Sequence, residues 1–144
     1  MIFYIDLNLQ PKETKITLAI SIEEFKKVLE SLEEAIDLYQ NAKPGSSSAK
    51  AFRDASIQRF EFCIELAWKT SKKVMGTSAN APKTIIREMA QSNFISDVNL
   101  WFDFLEARNK SSHTYDEDIA IEVFQKTQQF LPQGKALHLM LTQA

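Results

Sequence analysis

The sequence predicts an all-α protein, an up-and-down bundle of four to five helices. Apolar residues recur at three- and four-residue steps over most of the 144 positions, which is the spacing of a buried helix face. Only three glycines and four prolines are present, so tight turns are few. Capping boxes, in which Ser or Thr is followed three residues later by Glu, precede two of the apolar stripes. The length suits a single domain, which we assign to residues 21–144.

Residues 1–20 are expected to form a separate N-terminal arm, either a short strand or an extended segment lying on a neighbour. Their first residues favour β-structure, and Pro11 interrupts a helix. The first helix is then predicted to begin at the capping box Ser21–Glu24. It should end at the run of Pro, Gly and Ser at 44–48.

The second helix is predicted from about Ala49 to Met75 and is the longest. Its wide apolar surface indicates burial on more than one side, as in a central bundle helix or one that also meets a second subunit. Glu61 and Glu65 lie one turn apart on it; they can serve as an acid/base pair or, equally well, form buried pairs with Arg59 or Lys69.

Three further helices are expected in the rest of the chain. Pro82 suits the first turn of a short third helix, and Asp97 or Ser96 can cap a fourth. The capping box that starts at Thr114 predicts a fifth helix, which should stop at Pro132. The apolar tail after Pro132 can form a last short helix.

The composition limits the possible functions. A net charge of −2 argues against a general nucleic-acid coat, and the single cysteine excludes an internal disulfide. With one Cys and two His, a zinc site is disfavoured, and we expect neither metal nor cofactor. No apolar run approaches the ~18 residues that span a bilayer. We therefore expect a cytoplasmic protein without membrane contact.

The residues that carry chemistry lie in the elbow, residues 106–117, between the predicted fourth and fifth helices. On an unbroken helix Arg108 and His113 would point about 140° apart, whereas Asn109 and His113 would share a face. A helix break after His113, or two copies of the site facing each other across a two-fold axis, allows Arg108 and His113 to converge. An arginine fork binds a phosphate, while histidine can take a proton from a ribose 2′-OH and protonate a leaving 5′-oxygen. That combination cleaves RNA without a metal ion.

The same elbow also has a structural interpretation, which the spacing taken alone favours. Arg108 would then form an ion pair and His113 would bond a backbone carbonyl. Asn109 would orient His113 or cap the helix end, and Ser112 is a weaker candidate for phosphate contact. Tyr115 would be a rim residue with its ring packed and its hydroxyl in water.

A family resemblance bears on this choice. Arg108-Asn109-x-x-x-His113-x-Tyr115 resembles the Arg-x4-His-x-Tyr signature of HEPN-domain proteins. The chain is most similar to the HEPN partners of minimal nucleotidyltransferases, also called nucleotidyltransferase substrate-binding proteins. The stretches that carry this similarity are Ser56–Thr70, Pro82–Glu88 and His113–Glu117. The resemblance covers roughly residues 21–132 in consistent order, and the arm matches least.

The resemblance implies a HEPN-like homodimer in which the motifs face a shared cleft. It implies the toxin of a toxin–antitoxin pair, a metal-independent ribonuclease with Arg108 and His113 as the catalytic residues. A cognate minimal nucleotidyltransferase, the antitoxin, would neutralise it by transferring AMP to Tyr115. The alternative is a non-catalytic substrate-binding subunit that binds nucleotide and the partner enzyme. A third possibility is a structural helical dimer whose elbow only caps two helices.

Overall fold

The computed structural model describes the backbone of residues 2–144 and the side chains of residues 14–144. In this range the chain forms five α-helices and no strand, so the predicted all-α bundle is confirmed. The helices are α1 (Ile2–Asn41), α2 (Ser47–Met75), α3 (Pro82–Gln91), α4 (Val98–Lys110) and α5 (Glu117–Gln143), and a 3-10 turn (Ser111–His113) joins α4 to α5.

The strand or extended conformation predicted for residues 1–20 is wrong, because α1 begins at Ile2 and passes through Pro11 and Ser21. A proline within a helix removes one backbone hydrogen bond, but the helix-compatible residues on either side supply the others. Ser21 is therefore not an N-cap. It is buried, and its hydroxyl accepts a hydrogen bond from Lys73 Nζ of α2 at 3.0 Å.

Both predicted ends of α2, to within two residues, and the predicted starts of α3 and α4 agree with the structure. Ser46 caps α2 by accepting from the Ala49 amide, and α2 stops at Gly76, whose φ of 67° is left-handed and suits a residue without Cβ. Pro82 occupies the first turn of α3, and Asp97 caps α4 through the Leu100 amide at 3.0 Å.

Helix α5 differs from the prediction at both ends. Its N-cap is Asp116, whose carboxylate accepts from the Asp118 and Ile119 amides; Thr114 has helical backbone angles at the end of the 3-10 turn. The predicted stop at Pro132 and the separate tail helix are also wrong, since α5 continues to Gln143. The residues beyond Pro132 keep the helix intact through packing, because two leucines there, Leu137 and Leu141, are fully buried.

Helix α2 lies at the centre and contacts α1, α3, α4 and α5. Four aromatic rings from α2, α4 and α5 form the middle of the core with edge-to-face centroid distances of 5.3–5.5 Å: Phe60, Trp101, Phe104 and Phe130. Gly134 lets α5 approach α1 closely, since a Cβ there would lie 2.7 Å from Leu29 Cδ2. The aromatic core of α2, α4 and α5 holds the C-terminal end of α4 against α2. None of the helices, searched over the described residues, has an apolar stretch long enough to cross a bilayer.

Candidate functional site

The elbow breaks the helix earlier than the sequence suggested. Helix α4 ends at Lys110, and Ser111–His113 form one 3-10 turn whose first amide donates to the Ala107 and Arg108 carbonyls. The His113 carbonyl in turn accepts the Asp116 amide at 3.1 Å, just before α5 starts. Arg108 therefore belongs to the last turn of α4, whereas His113 lies on the connection that follows it.

Arg108 is held by two carboxylates of α2. Its Nη1 lies 3.2 Å from Glu61 Oε2, and its Nε lies 3.9 Å from Glu65 Oε1. The Arg108 side chain is 34% exposed and that of Glu61 29%, so the pair is half-buried. Within the described residues Arg108 Nε has no hydrogen-bond partner. The ion pair of the structural interpretation is thus present, while about a third of the Arg108 side chain stays accessible.

Glu61 also holds the turn that follows Arg108. The buried Ser111 hydroxyl lies 2.6 Å from the Arg108 carbonyl and 3.0 Å from Glu61 Oε2, and it donates to both. One carboxylate of α2 therefore fixes both the arginine and the turn that carries His113. We call Glu61, Arg108 and Ser111 the elbow lock.

The sequence placed Glu61 and Glu65 one turn apart but did not identify Arg108 as their partner. The alternative pairing with Lys69 is present for Glu65, at 3.3 Å. Arg59 instead donates to the Ser31 carbonyl at 2.7 Å.

His113 and Tyr115 form an exposed pair on the outside of the elbow. The Tyr115 hydroxyl lies 3.4 Å from His113 Nδ1, and the two rings meet edge to face with centroids 5.9 Å apart. Tyr115 is 86% exposed. Among residues 14–144 this hydroxyl is the hydrogen-bond neighbour of the His113 ring, in place of the backbone carbonyl that the structural interpretation expected. Both the imidazole and the phenol are accessible to a substrate or an enzyme.

The two supporting residues have different environments. Ser112 donates its hydroxyl to the Asn109 carbonyl at 3.2 Å, so it helps to close the turn. Asn109 is exposed at the end of α4, and its side chain lines a groove.

Arg108 lines two open clefts. The first, of about 650 Å³, lies along α2 and includes Glu61 and the exposed Phe62. The second, of about 490 Å³, lies between α2, α4 and the start of α3, and we call it the α3–α4 groove. His113 and Tyr115 line neither cleft. In one chain, therefore, the arginine faces the clefts and the histidine lies outside them.

An ion pair between a buried arginine and an exposed glutamate anchors the other side of the elbow, and sequence analysis missed it. Arg53 of α2, only 8% exposed, donates to both oxygens of Glu117 in the first turn of α5, at 2.6 and 3.3 Å. The hydrogen bonds that Arg53 donates lower the pKa of Glu117, and the same bonds raise the pKa of Arg53. A signal did exist, because Arg53 precedes the buried Ile57 by four residues and Phe60 by seven, on the same helix face.

Cys63 is not a candidate nucleophile. It is fully buried in the core, and burial raises the pKa of its thiol to about 12.

The chain is similar to a known protein family and to a named relative. A family model described as "Nucleotidyltransferase substrate binding protein like" matches residues 20–143. A Haemophilus influenzae protein named "Probable ribonuclease HepT" is 32% identical over an alignment of 96 residues. The match covers 61% of this chain and 66%, just under two thirds, of that relative.

Two solved structures share the fold. A Haemophilus influenzae structure, described as revealing the fold of a substrate binding domain of a nucleotidyltransferase, has a TM-score of 0.73 and 26% identity; the match covers 84% of this chain and 98% of the other. A Thermus thermophilus structure has a TM-score of 0.70 and 26% identity over 81% of this chain and 98% of its own.

Proposed function

Because the chain belongs to the nucleotidyltransferase substrate binding protein-like family, we propose that it is the HEPN toxin of a toxin–antitoxin pair. In this proposal it is a homodimeric, metal-independent ribonuclease of the cytoplasm. A cognate minimal nucleotidyltransferase is its partner and neutralises it by adenylylating Tyr115. The relative named as a probable ribonuclease supports the activity, and the family supports the partner.

The observation that carries the proposal is the contrast between Arg108 and His113. Arg108 is pre-positioned in a cleft by Glu61 and is 34% exposed, while His113 is exposed on the adjacent turn. A guanidinium held in this way meets a phosphate without first being ordered, which lowers the entropic cost of binding.

The proposed reaction is an internal transfer within RNA. Neutral His113 removes the proton of a ribose 2′-OH, and the 2′-oxygen bonds to the adjacent phosphorus. The bond from phosphorus to the 5′-oxygen breaks, and a protonated histidine donates a proton to that oxygen. Arg108 stabilises the charge on the phosphoryl oxygens. The products are a 2′,3′-cyclic phosphate and a 5′-hydroxyl, and no metal or oxidant is required.

In the proposed homodimer, Arg108 of one chain and His113 of the other would act on the same phosphate. Within one chain His113 lines neither cleft that contains Arg108. Two copies related by a two-fold axis would bring one chain's histidine toward the other's arginine and would supply both a base and an acid. The exposed Phe62 beside the α2 cleft suits such a contact, since large exposed apolar side chains favour association.

Modification of Tyr115 would silence the site directly. Its phenolic oxygen would attack the α-phosphate of ATP, form a phosphodiester to AMP, lose its proton and release pyrophosphate. The phenol is 86% exposed, as transfer by a separate enzyme requires. Since its hydroxyl lies 3.4 Å from His113 Nδ1, the added nucleotide and its negative charge would occupy the space in front of the imidazole.

The test is RNA cleavage in EDTA by wild type and His113→Ala, after intact-mass analysis has excluded bound AMP. His138→Ala is the matched control, because His138 is the only other histidine and packs against Phe25 in the bundle. We expect cleavage with 2′,3′-cyclic phosphate ends for wild type and His138→Ala only. Equal cleavage by His113→Ala would refute the proposal.

The second candidate is a non-catalytic subunit that binds nucleotide and a nucleotidyltransferase. Two observations favour it: carboxylates already occupy part of the Arg108 guanidinium, and one structural relative is described as a substrate binding domain. It predicts a stable complex with the nucleotidyltransferase and no cleavage by AMP-free wild type.

A further inference from the structure

The α3–α4 groove combines aromatic side chains with cations directly beside Arg108. Trp68 enters from α2, Phe102 and Asn109 from α4, and Lys83 from the first turn of α3. Its volume of about 490 Å³ is within the ~300–1,000 Å³ typical of small-ligand clefts. The groove is therefore large enough for one nucleotide unit.

Three cations lie over the rings of the groove. Lys83 lines the groove, whereas Arg87 and Lys69 lie beside it. Lys83 Nζ is 5.7 Å and Arg87 Cζ is 5.3 Å from the centroid of the Phe102 ring. Lys69 Nζ is 5.4 Å from that of Trp68. These distances are typical of cation–π contacts, which hold exposed cations next to an aromatic surface.

The groove also contains carboxylates. Each has a cation within 4.0 Å, although Lys110, the partner of Glu106, lies closer to Glu122, at 2.9 Å. Among the described residues Glu65 pairs with Lys69, Asp103 with Lys126 and Glu106 with Lys110, with N···O distances of 3.3, 3.8 and 3.6 Å.

By contrast, no carboxylate of residues 14–144 lies within 4.0 Å of Lys83 or Arg87. Two exposed cations on the α3 side of the groove therefore remain available to a phosphate.

We propose that the α3–α4 groove is a subsite for single-stranded RNA. It receives the nucleotide next to the phosphodiester held by Arg108. The base stacks against Phe102 and Trp68, and the following phosphate contacts Lys83 and Arg87. This inference rests on the proposed ribonuclease function and extends it to substrate binding.

Aromatic side chains accept any base, because every base has a π-face, and neighbouring cations follow the phosphate backbone. A subsite built this way favours unpaired RNA over a duplex, since the base must leave its stack to reach the rings. The overall charge of −2 confines phosphate binding to such local patches.

The test measures binding separately from cleavage. The probe is a fluorescent, single-stranded 2′-O-methyl oligonucleotide, which lacks the attacking hydroxyl, titrated at several salt concentrations with AMP-free protein. Lys83→Ala/Arg87→Ala is compared with Lys26→Ala/Lys27→Ala, a matched pair of exposed lysines on α1. We expect only the groove variant to bind more weakly, with its log affinity–log salt slope reduced by about 1.4, the value for two phosphate contacts on a single strand.

Phe102→Ala tests whether a base stacks on the Phe102 ring. Loss of one stacked base predicts about fivefold weaker binding or more. Circular dichroism and size-exclusion chromatography of each variant report folding and oligomeric state. Unchanged RNA affinity in both groove variants would overturn the subsite. Loss of dimer or of nucleotidyltransferase binding with RNA affinity unchanged would overturn it too, because the groove would then be a protein interface.

The same experiment separates this inference from the proposed function. If wild type does not cleave RNA but binds it through the groove, the proposed ribonuclease activity is refuted and the proposed RNA subsite is supported. If wild type cleaves RNA, and the groove variants bind and cleave it as the lysine control does, the ribonuclease activity is supported and the subsite is refuted.

Discussion

The elbow lock makes a quantitative prediction about Glu61. Glu61→Ala removes the acceptor that lies 3.2 Å from Arg108 Nη1 and 3.0 Å from the Ser111 hydroxyl. The Arg108 pair is about one third exposed, so we assign it only ~0.2–1 kcal/mol. The bond from the buried Ser111 hydroxyl to a carboxylate adds roughly 1 kcal/mol. The free energy of unfolding should therefore fall by about 1–2 kcal/mol, and Tm by roughly 2–8 °C.

The matched control is Glu106→Ala, which removes the same charge from the end of α4. Glu106 is 67% exposed and its pair with Lys110 is an i,i+4 contact at 3.6 Å, so its loss should cost at most about 0.5 kcal/mol. The assay is urea denaturation of both variants, followed by RNA cleavage. Because Glu61 positions Arg108 as well as the turn, we expect Glu61→Ala to lose most cleavage. Glu106→Ala removes a negative charge from the α3–α4 groove and should cleave RNA at least as well as wild type.

Glu61→Gln separates the two contacts. The amide oxygen still accepts from Ser111, whereas the charge attraction to Arg108 is lost, so its stability should lie between wild type and Glu61→Ala. In a double-mutant cycle, Ser111→Ala should be non-additive with Glu61→Ala by about 0.5 kcal/mol or more. If Glu61→Ala matches Glu106→Ala in both stability and cleavage, the elbow lock has no role.

Three further predictions address other parts of the molecule. Because Arg53 lowers the pKa of Glu117, their pair stabilises the fold above the ordinary carboxylate pKa of 4.5 and loses that contribution as pH falls through the lower folded-state value. The difference in urea midpoint between wild type and Arg53→Gln should thus be largest near pH 7 and shrink below about pH 4; a pH-independent difference would contradict this linkage. Gly134→Ala gains up to about 1 kcal/mol of helix propensity, but its Cβ would lie 2.7 Å from a leucine side chain and 2.9 Å from a core phenylalanine, and such overpacking costs ~1–3 kcal/mol. We expect net destabilisation by about 1 kcal/mol in denaturant unfolding, and a stabilised variant would show that the α1–α5 contact is loose. Tyr115→Phe should gain no AMP mass when incubated with the nucleotidyltransferase and ATP, yet keep its RNA cleavage, since the removed hydroxyl is exposed and lies outside the proposed proton transfers; AMP on the Phe variant would place the modification elsewhere.

Local sequence signals located the middle of the fold well. Gly76, Pro82 and Asp97 each act on backbone groups within a few residues, through a left-handed φ, a missing N–H or a capped amide, so their effects do not depend on distant contacts. The same signals failed at Pro11, Ser21 and Pro132. There the helix continues through the predicted break.

In the candidate site, too, some features were predicted from the sequence and others were not. The sequence identified Arg108, Asn109, Ser112, His113 and Tyr115 as the elbow's chemical groups and predicted a helix break there, because residue types and local propensities are properties of the chain itself. Their catalytic and modification roles stay predictions.

The sequence by itself determined that the chain is helical, that the helices change direction near residues 111–116, and which reactive groups that turn carries. Only the tertiary structure decided that Glu61 holds both Arg108 and Ser111, and that Arg53 anchors Glu117. It also decided that α5 continues past Pro132, since buried leucines beyond the proline pack in the core. The physical reason is common to all three. Each depends on groups far apart in the chain, whose partners are set by how whole helix faces pack, whereas periodicity and capping report only on neighbours within about one or two turns.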